Sequence, residues 1–284
     1  VARADVLITA EELFRLLAEG RPVTLLDVRW QLTEPDGRDT YLRGHLPGAV
    51  YVSLEDELSD HGVTGRGRHP LPAGRAVESA ARGWGVRDGV PTVVYDDWNR
   101  AGSARAWWVL TAAGVSGVRI LDGGLAAWRQ AGGAVESGSV SPAPGDVTVA
   151  HDDLYAGALP TLTADDVAGY GGVLLDARAP ERFRGEVEPV DPVAGHIPGA
   201  RNAPSTAALA ADGTFLPTAD LTRLFESHGA TIAPGVGVYC GSGVTAAVAI
   251  AALRAADVEA ELFPGSWSQW SSDATRPVAI GREG

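Results

Sequence analysis

The sequence predicts an α/β protein built from two tandem domains of one kind, each a mainly parallel sheet with helices on both faces. Two observations predict it: short apolar runs alternate with helical patterns, and four segments recur in the same order in the two halves. The 284 residues are enough for two domains of ordinary size, and 45% hydrophobic residues suffice for packed cores. Leu25-Leu26-Asp27-Val28-Arg29 returns as Leu174-Leu175-Asp176-Ala177-Arg178, and Gly44-His45-Leu46-Pro47-Gly48-Ala49 as Gly195-His196-Ile197-Pro198-Gly199-Ala200. Val94-Tyr95-Asp96 returns as Val238-Tyr239-Cys240, and Leu121-Asp122-Gly123-Gly124 with Trp128 as Phe263-Pro264-Gly265-Ser266 with Trp270.

In chain order, residues 9–18 have helical spacing, with Thr9 as the cap and Glu12 three positions later. Residues 23–28, 92–95 and 118–121 read as buried strands, and 104–113 as the helix that follows the second of them. Residues 137–145 are turn-rich and unperiodic. The domains are therefore expected at 1–138 and 161–284, with a linker at 139–160. In the second copy, 163–170 reads as a helix, 173–177 and 236–239 as strands, and 245–255 as a helix. Duplicated residues cannot distinguish one half from the other, so His45 and His196 are expected to stabilise turns. The Asp27-Arg29 and Asp176-Arg178 pairs are expected to hold loops.

Composition removes several chemistries. All 23 basic residues are Arg, which leaves no P-loop lysine, pyridoxal Schiff base or amine nucleophile. A net charge of −13 argues against nucleic-acid or anionic-membrane partners. One cysteine, Cys240, allows neither an internal disulfide nor a four-thiolate metal site. The six His show no ligand spacing, so no metal or organic cofactor is expected. The first 17 residues are acidic and amphipathic, unlike a secretory signal, and no apolar run approaches the ~20 residues of a membrane span. A soluble cytoplasmic protein is the expectation.

Cys240 follows the strand 236–239 and opens Cys240-Gly241-Ser242-Gly243-Val244-Thr245-Ala246 before the helix. Parallel sheets collect ligands beyond the carboxyl ends of their strands, and Cys240 sits there. Two glycines let this backbone curl with its N–H groups inward, and the helix adds the positive end of its dipole. Such a ring favours a thiolate and can hold a persulfide or an oxyanion. Cysteine phosphatases use a loop of this length with an Arg that clamps phosphate. Here that position is Ala246 and the loop has no cation, so phosphoryl transfer is excluded.

The paired Gly-His-hydrophobic-Pro-Gly-Ala segments, the Cys loop and the closing Phe263-Pro264-Gly265-Ser266-Trp267-Ser268-Gln269-Trp270 resemble tandem rhodanese sulfurtransferases of the 3-mercaptopyruvate or thiosulfate type. The resemblance implies a non-catalytic first domain, with Asp96 at the nucleophile position, and a catalytic second domain. It implies that Cys240 takes a sulfane sulfur from a small donor and passes it to a thiophilic acceptor. That acceptor would be cyanide, a thiol, or a dithiol such as a thioredoxin-like protein. Cys-Gly-Ser-Gly-Val-Thr-Ala is similar to the mercaptopyruvate branch, which implies a proton relay of Ser242, His69 and Glu55. It further implies substrate binding by Arg182, by the loop residues Gly241, Gly243, Val244 and Thr245, and by Trp30 as an aromatic wall. That branch has a second Arg nine residues after the first; here Asp191 stands there, with Arg184, Arg100 or Arg201 as substitutes. Thiosulfate therefore stays open as donor. A persulfide carrier with little turnover of small donors is the alternative of a different class.

Overall fold

The computed structural model describes residues 2–282 and separates into two compact units. The first comprises Val1–Asp60, Leu71–Leu159 and Leu209–Phe215; the second comprises His61–Pro70, Pro160–Ala208 and Leu216–Gly284. Each chain half thus lends one short segment to the unit of the other half.

The first unit holds β1 (Leu7–Ile8), β2 (Thr24–Asp27), β3 (Val50–Tyr51), β4 (Thr92–Tyr95) and β5 (Val118–Leu121). They form a parallel sheet in the order β1-β5-β4-β2-β3. The central β4 reads Thr-Val-Val-Tyr and is buried throughout, as expected of a strand covered on both faces. Val93 and Tyr95 pack with Leu13 of the helix Ala10–Ala18 and with Leu125 and Trp128 of the helix Gly124–Gln130. The helix Ala101–Ala112 lies against β4 and β5 and is buried along nearly its whole length. Gly102 lets it approach: a Cβ there would lie 1.8 Å from the Val28 carbonyl oxygen.

Helix boundaries follow local capping. Thr9 accepts the Glu12 amide at 3.1 Å, which starts that helix where the sequence expects it. The helix expected at 104–113 begins three residues early, at Ala101, where Asn99 Oδ1 accepts the Ala101 amide at 3.1 Å and Asp96 Oδ2 the Ser103 amide at 3.2 Å. The turn-rich stretch beyond 138 stays with the first unit as far as Leu159, with Val147 and Leu154 buried and the Gly145 amide on the Arg82 carbonyl at 2.7 Å.

The second unit holds β6 (Val173–Asp176), β7 (Arg201–Asn202), β8 (Val236–Tyr239) and β9 (Glu261–Leu262), parallel and ordered β7-β6-β8-β9. A reciprocal capping box between Thr163 and Asp166 starts the helix Ala164–Ala168, which stops at Gly169, short of the expected 170. The helix Ala246–Ala255 follows β8 and is almost wholly buried.

The duplicated motifs do the same work in each unit. Arg29 pairs with Asp27 at 3.0 Å and reaches the Gly44 carbonyl; Arg178 pairs with Asp176 at 2.6 Å and reaches the Gly195 carbonyl at 2.7 Å. Tyr95 and Tyr239 hydroxyls accept the amides of Leu46 and Ile197 at 3.0 and 3.1 Å. His45 faces the Leu46 and Gly138 carbonyls, and His196 faces that of Phe183 and stacks on its ring at 3.7 Å. These histidines and ion pairs are used on turns and loops, as their presence in both copies implies.

Candidate active site

β8 delivers Cys240 to the carboxyl end of the second sheet, where it is 2% exposed. The loop curls because Gly243 takes φ +83°, and a Cβ there would stand 2.6 Å from the Pro264 carbonyl oxygen. That curl points the Gly243 amide at Cys240 Sγ, 3.1 Å away. The segment after β9 braces the loop from behind. Ser266 Oγ accepts the Cys240 amide at 3.1 Å, the Trp267 amide donates to the Cys240 carbonyl at 3.0 Å, and the Ser268 amide to the Gly241 carbonyl at 2.9 Å. Among the described residues the amides of Gly241, Ser242, Val244 and Thr245 donate to no protein acceptor. Val244 is buried, and Thr245 leads into the helix Ala246–Ala255.

Ser242 and His69 meet in this unit. His69 Nδ1 lies 2.7 Å from Ser242 Oγ, and both side chains are buried. His69 reaches the loop because the 61–70 segment folds with the second unit. Its approach depends on Gly67, at φ +83°, where a Cβ would sit 2.5 Å from the Gly265 carbonyl oxygen. The Arg68 amide then donates to Ser268 Oγ at 3.0 Å, tying this segment to the same brace that holds Cys240.

Two guanidinium groups converge on the residue after the cysteine. A Cβ on Gly241 would stand 3.1 Å from Arg68 Nη2 and 3.4 Å from Arg182 Nη1. Arg182 lies on the short helix Pro180–Phe183 and donates to Glu188 Oε1 at 2.8 Å and Asp191 Oδ2 at 3.4 Å. Arg68 pairs with the other oxygen of Asp191. Burial would raise the pKa of Glu188, but the amides of Asp191 and Val190 and the Arg182 guanidinium outweigh it and hold the carboxyl below its ordinary 4.5. Arg68 was not among the sequence candidates for a second arginine. Arg184 pairs instead with Glu186 at 2.7 Å, Arg201 donates to the His228 carbonyl at 2.6 Å, and Arg100 pairs with Asp96 at 2.9 Å in the first unit. The available signal was adjacency: Arg68 directly precedes His69.

Trp30 and Glu55 belong to the first unit, where the buried indole donates to Glu55 Oε1 at 2.7 Å. Asp96, at the end of β4, accepts from Ser103 Oγ at 2.6 Å and from the Trp98 amide at 3.1 Å. Its carboxylate therefore sits where Cys240 sits in the second copy and uses the loop's own donors. Among the described residues no cluster of three or more His, Cys, Asp or Glu could hold a metal ion, and no helix is long and apolar enough to cross a membrane.

The model of the rhodanese-like domain matches residues 9–131 and again 161–273. The Mycobacterium tuberculosis (strain H37Rv) protein named "Putative thiosulfate sulfurtransferase SseB" is 66% identical over 281 residues, covering 99% of each chain. The 3-mercaptopyruvate sulfurtransferase of Escherichia coli K12 is 36% identical over 264 residues, covering 90% of this chain and 92% of its own. The crystal structure of SseA from Escherichia coli, described as a 3-mercaptopyruvate sulfotransferase with the rhodanese fold, superimposes with a TM-score of 0.79 at 33% identity. It covers 92% of this chain and 98% of that one.

Proposed function

Since the chain belongs to the rhodanese family, as a tandem-domain sulfurtransferase of the thiosulfate or 3-mercaptopyruvate type, we propose that Cys240 carries the sulfur as a persulfide and that 3-mercaptopyruvate is the preferred donor. The observation that carries the choice of donor is the 2.7 Å contact between His69 Nδ1 and Ser242 Oγ, two residues beyond the nucleophile.

In the first half-reaction the Cys240 thiolate attacks the donor sulfur and the carbon–sulfur bond breaks toward carbon. Its electron pair leaves as the enolate of pyruvate. The proton of the donor thiol ends on that carbon, so the products are pyruvate and a Cys240 persulfide anion. Ser242, with its hydroxyl on His69, is the group that moves this proton. Arg182 and Arg68 hold the donor carboxylate, and the unpaired loop amides receive the charge on the terminal sulfur. In the second half-reaction a thiolate takes the outer sulfur and Cys240 is restored as thiolate. A thiol or dithiol acceptor, as a thioredoxin-like protein would supply in a reducing compartment, fits that step.

Thiosulfate needs no carbon to be protonated, since sulfite leaves as an anion. The relay therefore separates the two donors. His69→Ala and Ser242→Ala are expected to lower kcat/KM for mercaptopyruvate by about 10²-fold, the usual worth of one proton-transfer group, and to leave thiosulfate within severalfold. Equal losses for both donors would contradict the relay. Thiosulfate is the second reading, supported by the 66% identity to a relative named as a putative thiosulfate sulfurtransferase. A carrier with no small-donor turnover would release neither pyruvate nor sulfite under steady-state conditions.

A further inference from the structure

The arginines that face Gly241 are already neutralised. Asp191 places one carboxylate oxygen on Arg68 and the other on Arg182, and Glu188 takes Arg182 at 2.8 Å. Behind them Arg178 pairs with Asp176 at 2.6 Å and faces the second oxygen of Glu188 at 3.5 Å. Arg68, Arg178 and Arg182 are thus matched by Asp176, Glu188 and Asp191, and the whole set carries no net charge. The side chains of Asp191 and Glu188 are 4% and 5% exposed, so water and salt screen them far less than surface carboxylates. A donor entering this seat meets guanidinium hydrogen bonds without surplus positive charge. It also meets the thiolate it must react with.

That arithmetic discriminates between donors by charge. A singly charged α-keto carboxylate adds one negative charge to a neutral seat. A thiosulfate-type dianion adds two, each repelled by Asp191, Glu188 and the thiolate. We propose that Asp191 and Glu188 are specificity-determining residues that fit the seat to monoanionic donors and against dianionic ones, with Arg68 as the second guanidinium of the seat. This deepens the persulfide reading of Cys240 and rests on it. Asp191 touches both guanidinium groups, so it also sets their spacing; its charge is nevertheless separable from its shape, because asparagine keeps the shape.

The test is the ratio of kcat/KM for thiosulfate to kcat/KM for mercaptopyruvate in Asp191→Asn and, independently, in Glu188→Gln. Removing one buried negative charge from the guanidinium seat beside Gly241 is expected to raise that ratio at least tenfold in each variant. Arg68→Met is expected to raise KM for both donors at least tenfold. A merely structural role for the carboxylates would lower both donors together and leave the ratio unmoved; that result in both variants, or an unchanged KM in Arg68→Met, overturns the proposal. If the unaltered protein gains no sulfur on Cys240 from either donor, the persulfide reading falls with it. If it does gain sulfur and the ratio stays put, only the selectivity proposal falls.

Discussion

Positions 96 and 240 close equivalent strands in the two copies, and the residue type decides what each loop can do. At 240 a sulfur atom accepts one amide and leaves others unpaired. At 96 a carboxylate accepts the Ser103 hydroxyl and amide at 2.6 and 3.2 Å and pairs with a buried Arg100 at 2.9 Å. The first loop is closed around its own anion. Asp96→Cys is therefore expected not to create a second sulfur-accepting site. It would leave Arg100 buried without its partner, a cost of about 3–5 kcal/mol readable as a lowered Tm. Sulfur transferred to position 96 in that variant would contradict the account. Glu188 gives a pH signature at the same scale. Its folded-state pKa lies below the ordinary 4.5, so its contribution to stability is complete above about 4.5 and fades as pH falls through the lower folded value. Glu188→Gln is expected to unfold more readily at neutral pH and to lose that part of the acid dependence. A variant with the parent's Tm-against-pH curve would show that the carboxylate is not held by its neighbours.

Single elements were legible where one side chain determines them. Thr9 capping the helix Ala10–Ala18, the buried run of β8 and the glycine loop after it were all readable, because caps, apolar runs and glycines act over a few residues. Gly243 tests that reading directly. Gly243→Ala forces a side chain into φ +83° and against the Pro264 carbonyl oxygen, 2.6 Å from the new Cβ. The expected cost is about 1–3 kcal/mol in denaturant unfolding, together with loss of persulfide formation as the amide leaves Sγ. Wild-type stability and loading would contradict the loop geometry. What was not legible is the partner of Asp191. The sequence placed a carboxylate where an arginine was expected, and the compensating Arg68 stands 123 residues away in a segment with no periodic pattern. Ion pairs between irregular segments leave no local signature.

At the scale of the whole molecule the duplication carried the fold, since motifs present in both halves in one order define two copies of one sheet. The exchange of residues 61–70 and 209–215 between the two units was invisible, because a division by sequence order assumes that each half folds with itself. That exchange matters chemically: it places His69 on Ser242 and Arg68 beside Gly241 within the unit that carries Cys240. His69 carries no local signal of its own in the sequence; only the family resemblance points to it. Everything in the mechanism turns on sulfur residing on one side chain. The most direct measurement is intact and peptide mass after brief exposure to mercaptopyruvate, without acceptor and then with cyanide. One added sulfur atom on the peptide bearing Cys240, removed by cyanide and not formed in Cys240→Ser, is the expected result. No adduct, or an adduct that persists in Cys240→Ser, would contradict it.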